Sequence, residues 1–395
     1  MISITFDVYQ TLAIAVVALI IGDLARKKIS VLNRFCIPSP VIGGMLFAVL
    51  VCILHCFGIA DIVFEDDLRE ICMVFFFTSV GFQADIKLLR TGGKDLVKFL
   101  FVVALLIVLQ NTVAVSLAKA MGLGAGIGLC TGSIPMVGGH GTASAFGPLL
   151  EKMGTTGART ISTAVATYGL VAGSLLGGPI ANRLIKKHDL LKTVLSDSGR
   201  VNEEEKLIAG KKGAYAYASF QLAIAAGAGT VISFFISKTG MTFPVYIGAM
   251  IAAAIIRNVA ELSGKLDIHT DGINDIGGIM LSLFLGMAMI SLKIWELAGL
   301  ALPLVILVAA QTVLMAVFAY FVAFTVMGRD YDAAVISSGT CGFGMGATPN
   351  AMANIQAVCD TYAPSLKAFL IIPVVGSMFA DFINSFLLTL FINFM

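Results

Sequence analysis

Long apolar runs, separated by short polar stretches, follow one another along most of the chain. A helix needs about 20 apolar residues to cross roughly 30 Å of hydrocarbon, and ten runs reach or approach that length. They lie at 7–24, 40–57, 69–83, 97–118, 159–181, 214–236, 243–260, 273–291, 299–327 and 366–392. This pattern predicts an all-α integral membrane protein with about ten transmembrane helices, five in each half of the chain.

The composition agrees with a membrane protein. Hydrophobic residues make up 58% of the 395 residues and charged residues 13%, whereas a soluble domain carries about 25% charged residues. The net charge of +2, without a basic patch, gives no indication of nucleic acid as a partner. The seven cysteines form no CxxC pair, so they indicate neither a metal site nor a disulfide framework. No motif for an organic cofactor occurs in a context that would support it.

One hydrophilic segment divides the chain. Residues 183–213 contain 13 charged side chains and begin with Arg183, Lys186 and Lys187. We therefore predict an N-terminal repeat over 1–182, a cytoplasmic linker over 183–213 and a C-terminal repeat over 214–395.

The charges of the loops predict the orientation. The 25–36 loop is basic, the 58–70 loop is acidic, and the loop after the third run is basic again. Because basic loops stay in the cytoplasm, both termini should lie on the extracytoplasmic side of the membrane. An odd number of spans in each half then places the two halves in opposite orientations.

The two halves are also similar in sequence. VLQNTVAV at 108–115 is similar to AAQTVLMAV at 309–317, and GGHGTA at 138–143 is similar to GFGMGA at 342–347. Inverted repeats with interrupted helices at matching positions are typical of secondary transporters, which bind their substrates near those interruptions.

Two glycine-rich segments cannot be ordinary transmembrane helices. Residues 119–158 contain eleven glycines and two prolines, and residues 328–365 contain GTCGFGMGATPN. Non-helical backbone at membrane depth must be buried or line a cavity. We predict two re-entrant hairpins, one turning near Pro135–Gly141 and the other near Gly342–Pro349, whose tips meet near the membrane midplane.

The hairpin tips carry groups suited to a small anionic substrate. Helix N-termini present free N–H groups to a carboxylate, unwound carbonyls suit Na⁺, and glycine lets the backbone approach a ligand closely. The candidate substrate-binding residues are Ser133, Gly138, Gly139, His140, Gly141, Thr142, Gly342, Gly344, Gly346, Thr348, Asn350 and Asn354. The alternative is that the glycines only permit tight helix packing, and that His140 only orients the first tip.

Asp381 is the only ionisable side chain between Ala368 and Met395, and Asn384 follows one turn later. A carboxylate within a membrane helix indicates function by default. Asp381 and Asn384 are therefore candidates to bind Na⁺ or a substrate ammonium group, or Asp381 could carry a proton. A structural hydrogen bond or a distant basic partner would also explain Asp381. Gln110 and Gln311 are explained equally well by interhelical hydrogen bonds and by ligand contact.

Six segments carry a family resemblance. They are IPSPVIGGML at 37–46, GSIPMVGGHGTASA at 132–145, ATYGLVAGSLLGGPIA at 166–181, SLFLGMAMISLKIWELAGLALP at 282–303, YDAAVISSGTCGFGMGATPNAMANIQA at 331–357 and FADFIN at 379–384. Through them the chain resembles the bacterial sodium/glutamate symporter family.

The resemblance implies a Na⁺-coupled importer of L-glutamate, a homodimer in membrane lipid, and an elevator movement of the hairpin-bearing part against a scaffold. It assigns substrate binding to the Gly138–Thr142 and Gly342–Asn350 tips. Na⁺ is then the co-transported ion, and no enzyme activity is expected.

Three alternatives remain at this point. The first is a carrier for aspartate, citrate or malate, or one driven by protons. The second is a channel, against which the inverted halves argue. The third is an intramembrane hydrolase using Ser144 or Ser133 with His140, although a nucleophile and base also need an orienting third group.

Overall fold

The computed structural model describes residues 2–29, 32, 37–84, 93–191, 214–238, 245–264, 266–295 and 300–394. Apart from two short strands, the regular structure of these residues is helical. Eight of the helices are long and apolar enough to cross a membrane. The prediction of an all-α integral membrane protein is therefore confirmed. The loop residues Arg34, Lys87 and Arg90, and most of the predicted linker, lie outside the described residues.

The described residues of the first half form the following strands and helices. They are β1 (Ile2–Phe6), α1 (Val8–Lys28), α2 (Ser39–Cys56), β2 (Ala60–Phe64), α3 (Asp67–Gln83), α4 (Gly93–Ala120), α5 (Ala125–Leu129), α6 (Ser133–Met136), α7 (Gly139–Lys152) and α8 (Ala158–His188). The glycine-rich segment thus folds into three short helices between the long helices α4 and α8. A capping box starts α1, because Asp7 and Gln10 each accept the other's backbone N–H, at 2.8 Å and 3.1 Å.

In the described residues of the second half, long helices are followed by shorter ones. Its helices are α9 (Ala214–Ser237), α10 (Val245–Ser263), α11 (Thr270–Ile290), α12 (Ala301–Val326, with a π-helical stretch at Phe318–Ala323), α13 (Tyr331–Gly344), α14 (Thr348–Thr361), α15 (Leu366–Val374) and α16 (Ala380–Asn393). Between α15 and α16 the chain is π-helical over Val375–Phe379.

The 69–83 run forms α3, a continuous helix of 17 residues, as predicted. One predicted span differs from the expected continuous long helix. The 366–392 run is divided because Pro373 lies inside α15, has no N–H and disrupts regular α-helical bonding. The π-helical stretch that follows places Gly376 and Asp381 on the wall of a cavity, and such interruptions are frequent at functional sites.

The two strands are an addition to the predicted architecture. β1 pairs in parallel with β2, from Ile2 with Ala60 to Phe6 with Phe64. β2 belongs to the acidic 58–70 loop, so the sheet ties the start of the chain to the connection between α2 and α3.

The helices pack as two groups. The scaffold group is α1–α3 with α9–α11, and the hairpin group is α4–α8 with α12–α16. Within each group the helices pack mainly on one another, whereas the larger packing contacts between the groups are α7 against α11 and the 375–379 stretch against α3. Each group therefore combines helices from both halves of the chain.

Within the hairpin group, α8 packs closely on the second broken pair. A Cβ atom built on Gly169 would lie 2.0 Å from the carbonyl oxygen of Met345, and one on Gly177 would lie 2.3 Å from Nδ2 of Asn354. These glycines allow the backbones to approach, and α8 thereby positions the turn between α13 and α14.

Candidate functional site

A cavity of about 320 Å³ lies where the two broken segments meet. We call it the tip cavity. Its hairpin-group wall contains residues 137–142 of the first tip and 346–349 of the second. Its scaffold wall is formed by side chains of α3 and α11. The volume falls within the range of roughly 300–1,000 Å³ that is usual for small-molecule sites.

The first tip is the start of α7. Gly139 has a positive φ of 58°, which favours glycine, and a Cβ atom there would lie 3.0 Å from the carbonyl oxygen of Gly346. The N–H groups of Gly139, His140 and Gly141 have no acceptor among the described residues. Three adjacent free N–H groups at a helix N-terminus form an anion-binding arrangement.

The His140 side chain is hydrogen-bonded to α8. Its Nε2 lies 2.9 Å from Oγ1 of Thr167, whose own hydroxyl donates to the carbonyl oxygen of Thr163 at 3.0 Å. The Thr167 hydroxyl proton is therefore engaged, and Nε2–H of His140 is the donor of the shared bond. This contact joins the first tip to α8, and the orienting role of His140 stays a prediction.

Two threonines bring hydroxyl groups to the cavity wall. Thr142 follows the first tip, and its buried Oγ1 has no hydrogen-bond partner among the described residues. Thr348 begins α14 on the opposite tip, beside Gly346. Because a buried hydroxyl without a partner carries a desolvation penalty, the Thr142 hydroxyl is available for a ligand.

Asp381 is the only acidic side chain that lines the tip cavity, and no lysine or arginine of the described residues lines it. No ion pair or hydrogen bond to another described residue reaches its carboxylate. The distant basic partner that would have explained Asp381 structurally is thus absent from the described part of the chain.

Asn384 and Ser133 lie together, away from the cavity wall. Ser133 Oγ donates to Asn384 Oδ1 at 2.7 Å, and Asn384 Nδ2 donates to the Ser133 carbonyl oxygen at 3.2 Å. Asn111 of α4 completes the network, with Nδ2 donating to Ser133 Oγ at 2.8 Å and Oδ1 accepting from Ser133 N–H at 2.9 Å. These buried side chains connect α4, the start of α6 and α16.

Four other candidates make packing contacts and do not line the cavity. They are Gly342, Gly344, Asn350 and Asn354. Asn350 Nδ2 donates to the Leu170 carbonyl oxygen at 2.8 Å, and Asn354 Nδ2 donates to the Gly173 carbonyl oxygen at 2.9 Å, so both fasten α14 to α8.

At Gly342 and Gly344 the neighbouring atoms leave no room for a side chain. A Cβ atom on Gly342 would lie 2.5 Å from Ala351 N, and one on Gly344 would lie 2.8 Å from Leu106 Cδ2. The carbonyl oxygen of Gly344 also accepts from Gln110 Nε2 at 2.7 Å, and Gln311 Nε2 donates to the carbonyl oxygen of Gln110 at 2.8 Å. Both glutamines therefore make interhelical hydrogen bonds.

The sequence patterns did not predict the residues of the scaffold wall of the tip cavity. Phe76, Phe77, Val80 and Gln83 of α3, with Leu281 and Leu285 of α11, line it. The apolar residues have the composition of any membrane helix, so they carry no local signal. Gln83, a polar residue at the end of an apolar run, was the one feature that could have drawn attention to this face.

The arrangement gives no support to a hydrolase. Ser133 Oγ is bonded to two asparagines, Ser144 Oγ has no hydrogen-bond partner among the described residues, and His140 Nε2 is bonded to Thr167. No serine–histidine pair is formed by these three residues, whereas a nucleophile must lie within hydrogen-bond reach of its base.

Comparison with known proteins identifies close relatives over nearly the full length. A family model described as "Sodium/glutamate symporter" matches residues 4–364. The chain is 37% identical to a sodium/glutamate symporter of Haemophilus influenzae and 36% identical to one of Escherichia coli, each covering 98% of this chain and 97% of the relative. Among solved structures it is similar to the sodium proton antiporter MjNhaP1 from Methanocaldococcus jannaschii, at 14% identity, 97% coverage of both chains and a TM-score of 0.46.

Proposed function

Because this chain belongs to the sodium/glutamate symporter family, we propose that it imports L-glutamate together with Na⁺ across the bacterial inner membrane. The observation that carries the proposal is the tip cavity, which is lined by two helix N-termini, by Thr142 and Thr348, and by Asp381, whose carboxylate has no partner among the described residues. A substrate with two carboxylates and one ammonium group matches these groups.

We assign the carboxylates of the substrate to the N–H groups and hydroxyls of the tips. The consecutive free N–H groups from Gly139 to Gly141 suit one carboxylate, and Thr142 adds a buried hydroxyl. Thr348, at the N-terminus of α14, is the corresponding group on the second tip. Asp381 then receives the substrate ammonium group or Na⁺, the two partners that a lone carboxylate favours.

An elevator movement fits the two helix groups. Both broken segments and Asp381 belong to the hairpin group, whereas α3 and α11 on the facing wall belong to the scaffold group. A binding site carried almost entirely by one body can change its exposure when that body slides against the other, as in alternating access by rigid-body movement. Inverted repeats over 1–182 and 214–395, re-entrant hairpins, external termini and a homodimer complete this proposal.

The test is uptake of radiolabelled L-glutamate into proteoliposomes with an inward Na⁺ gradient, compared with an equal K⁺ gradient. We expect accumulation only with Na⁺ and competition by unlabelled L-glutamate. Accumulation driven by a pH gradient without Na⁺ would replace Na⁺ by protons as the coupling ion. Uptake of aspartate, citrate or malate, without uptake of glutamate, would reassign the substrate.

A further inference from the structure

A second cavity, of about 470 Å³, also lies between the two helix groups. Asp66, the residue before α3, lines the second cavity, whereas Phe76 and Gln83 of α3 line the tip cavity. On α8, Arg159 lines the second cavity and Leu170 lines the tip cavity. Eleven residues of α-helix span about 16 Å, so the two cavities are separate sites along the boundary between the helix groups.

An ion pair crosses this boundary at the second cavity. Oδ2 of Asp66 accepts from Arg159 Nη2 at 3.2 Å and from Arg69 Nη2 at 2.9 Å. Asp66 and Arg69 belong to the start of α3, in the scaffold group, whereas Arg159 belongs to α8, in the hairpin group. Among the ion pairs between described residues, Asp66–Arg159 is the only one that joins the two groups.

Arg159 is fixed to the first broken segment by its backbone. Its N–H donates to Glu151 Oε1 of α7 at 3.0 Å, and a Cβ atom on Gly147 would lie 2.6 Å from Arg159 Cα. The start of α8 and the end of α7 are thus in contact and must move together. Arg159 therefore moves with the first tip, and its contact with Asp66 can restrain that tip.

When the Asp66–Arg159 pair opens, Asp66 keeps a charged partner and Arg159 does not. Arg69 stays beside Asp66 through its i,i+3 contact on the same helix, so the Asp66 carboxylate keeps one cationic partner. Arg159 loses its partner, but its side chain lines the cavity and can reach water. The Asp66 side chain is also 43% exposed, so the pair can open at the small cost of a partly exposed ion pair.

We propose that Asp66 and Arg159 are positioning residues of the transport cycle, which hold the two helix groups together at the second cavity while the tip cavity is formed. This inference rests on the proposed transport function and adds a contact that restrains the movement of one helix group against the other. Movement of the hairpin group breaks the Asp66–Arg159 pair, and Arg69 holds Asp66 until the pair forms again.

The experiment measures the opening of the second cavity directly. Thr160 lines that cavity and is 3% exposed. A Thr160→Cys substitution, in a chain whose seven native cysteines are replaced by alanine, provides a single thiol whose labelling by a hydrophilic maleimide is followed in lipid nanodiscs. Both membrane faces are accessible there, so the labelling rate reports opening whatever the orientation, and it needs no transported substrate.

Loss of the pair is expected to raise the labelling rate. Asp66→Asn and Arg159→Gln should each accelerate labelling about two- to fivefold. The double variant should add little to either change, because both remove the same contact. Arg159→Lys, which keeps the charge, should return the rate toward that of the parent. Asp66→Asn spares the helix start, because the Asp66 side chain makes no capping hydrogen bond.

Asp61→Asn is the matched control. Asp61 lines the same cavity, but its charge partner is His55 at 3.4 Å, within the scaffold group. The proposal is overturned if Asp66→Asn and Arg159→Gln label at the parent rate, if the control accelerates labelling equally, or if the double variant is fully additive. Glutamate uptake by the parent, measured separately, tests the transport function, so the two failures can be distinguished.

Discussion

Asp381→Asn removes the only negative charge that the described residues place on the wall of the tip cavity, and it keeps the size of the side chain. The carboxylate has no ion pair or hydrogen bond to another described residue, so the substitution should leave the packing of α16 almost unchanged. Its effect should appear in the binding of a cation. A hydrogen bond to a charged group contributes about 1.5–3 kcal/mol, which corresponds to a loss of affinity of roughly 10- to 150-fold.

The assay is initial uptake in proteoliposomes, with the Na⁺ and L-glutamate concentrations varied independently. If Asp381 binds Na⁺, the Na⁺ concentration for half-maximal uptake should rise by that factor. If Asp381 binds the substrate ammonium group, the loss should appear in the apparent affinity for glutamate. Competition by glutarate, which has the two carboxylates but no ammonium group, should then be unaffected.

Asp360→Asn provides the control, because Asp360 lies on α14 away from the tip cavity and is hydrogen-bonded to Gln356 at 2.6 Å. We expect its uptake to match that of the parent. An Asp381→Asn protein that inserts normally and keeps both its Na⁺ dependence and its glutamate affinity would refute the assignment of a cation to Asp381.

Three further substitutions test the site and its supports. Gly139→Ala should greatly reduce uptake, because the left-handed backbone costs about 1–2 kcal/mol for an L-residue and the new methyl group approaches the Gly346 carbonyl oxygen. Gly154 also has a left-handed backbone but lies in open space, so Gly154→Ala should transport normally. Equal losses of uptake in the two variants would contradict this reasoning. Asn384→Leu should lower the melting temperature in detergent, because Ser133 loses two buried hydrogen bonds at about 1–3 kcal/mol each; an unchanged melting temperature would count against a structural role. Gly169→Ala should destabilise the protein, because the new methyl group would lie 2.0 Å from the Met345 carbonyl oxygen. Gly178→Ala on the same helix meets no atom within 4 Å and should have little effect. Similar thermal unfolding of the two variants would be evidence against close packing of α8.

The architecture could be predicted from sequence wherever it depends on local composition. The apolar runs predicted helices whose bounds agree closely with the structure, for example 214–236 with Ala214–Ser237, because hydrocarbon leaves an apolar segment few conformations other than a helix. The sheet of β1 and β2 was missed because its partner strands are far apart in the chain, and five-residue strands between helices give no periodic signal.

The site could be predicted only in part, because one glycine looks like another in sequence. Gly139 and Gly346 line the cavity, whereas Gly342 and Gly344 lie in packed surroundings a few residues away. Which face of a broken helix points into a cavity depends on α4, α8 and α12, which are remote in sequence. Asp381 was recognisable because a lone carboxylate in an apolar run is expensive wherever it points.

The absence of a basic side chain among the described residues of the tip cavity gives a physical reason for coupling to a cation. In the proposed function, L-glutamate brings a net negative charge to a wall on which Asp381 is the only charged side chain among the described residues. Helix N-termini contribute only about half an elementary charge each, and like charges repel strongly in a low-dielectric site. Each bound Na⁺ would offset one of these two negative charges. Substrate affinity should then depend on Na⁺, and by thermodynamic reciprocity Na⁺ affinity should rise equally when glutamate is bound.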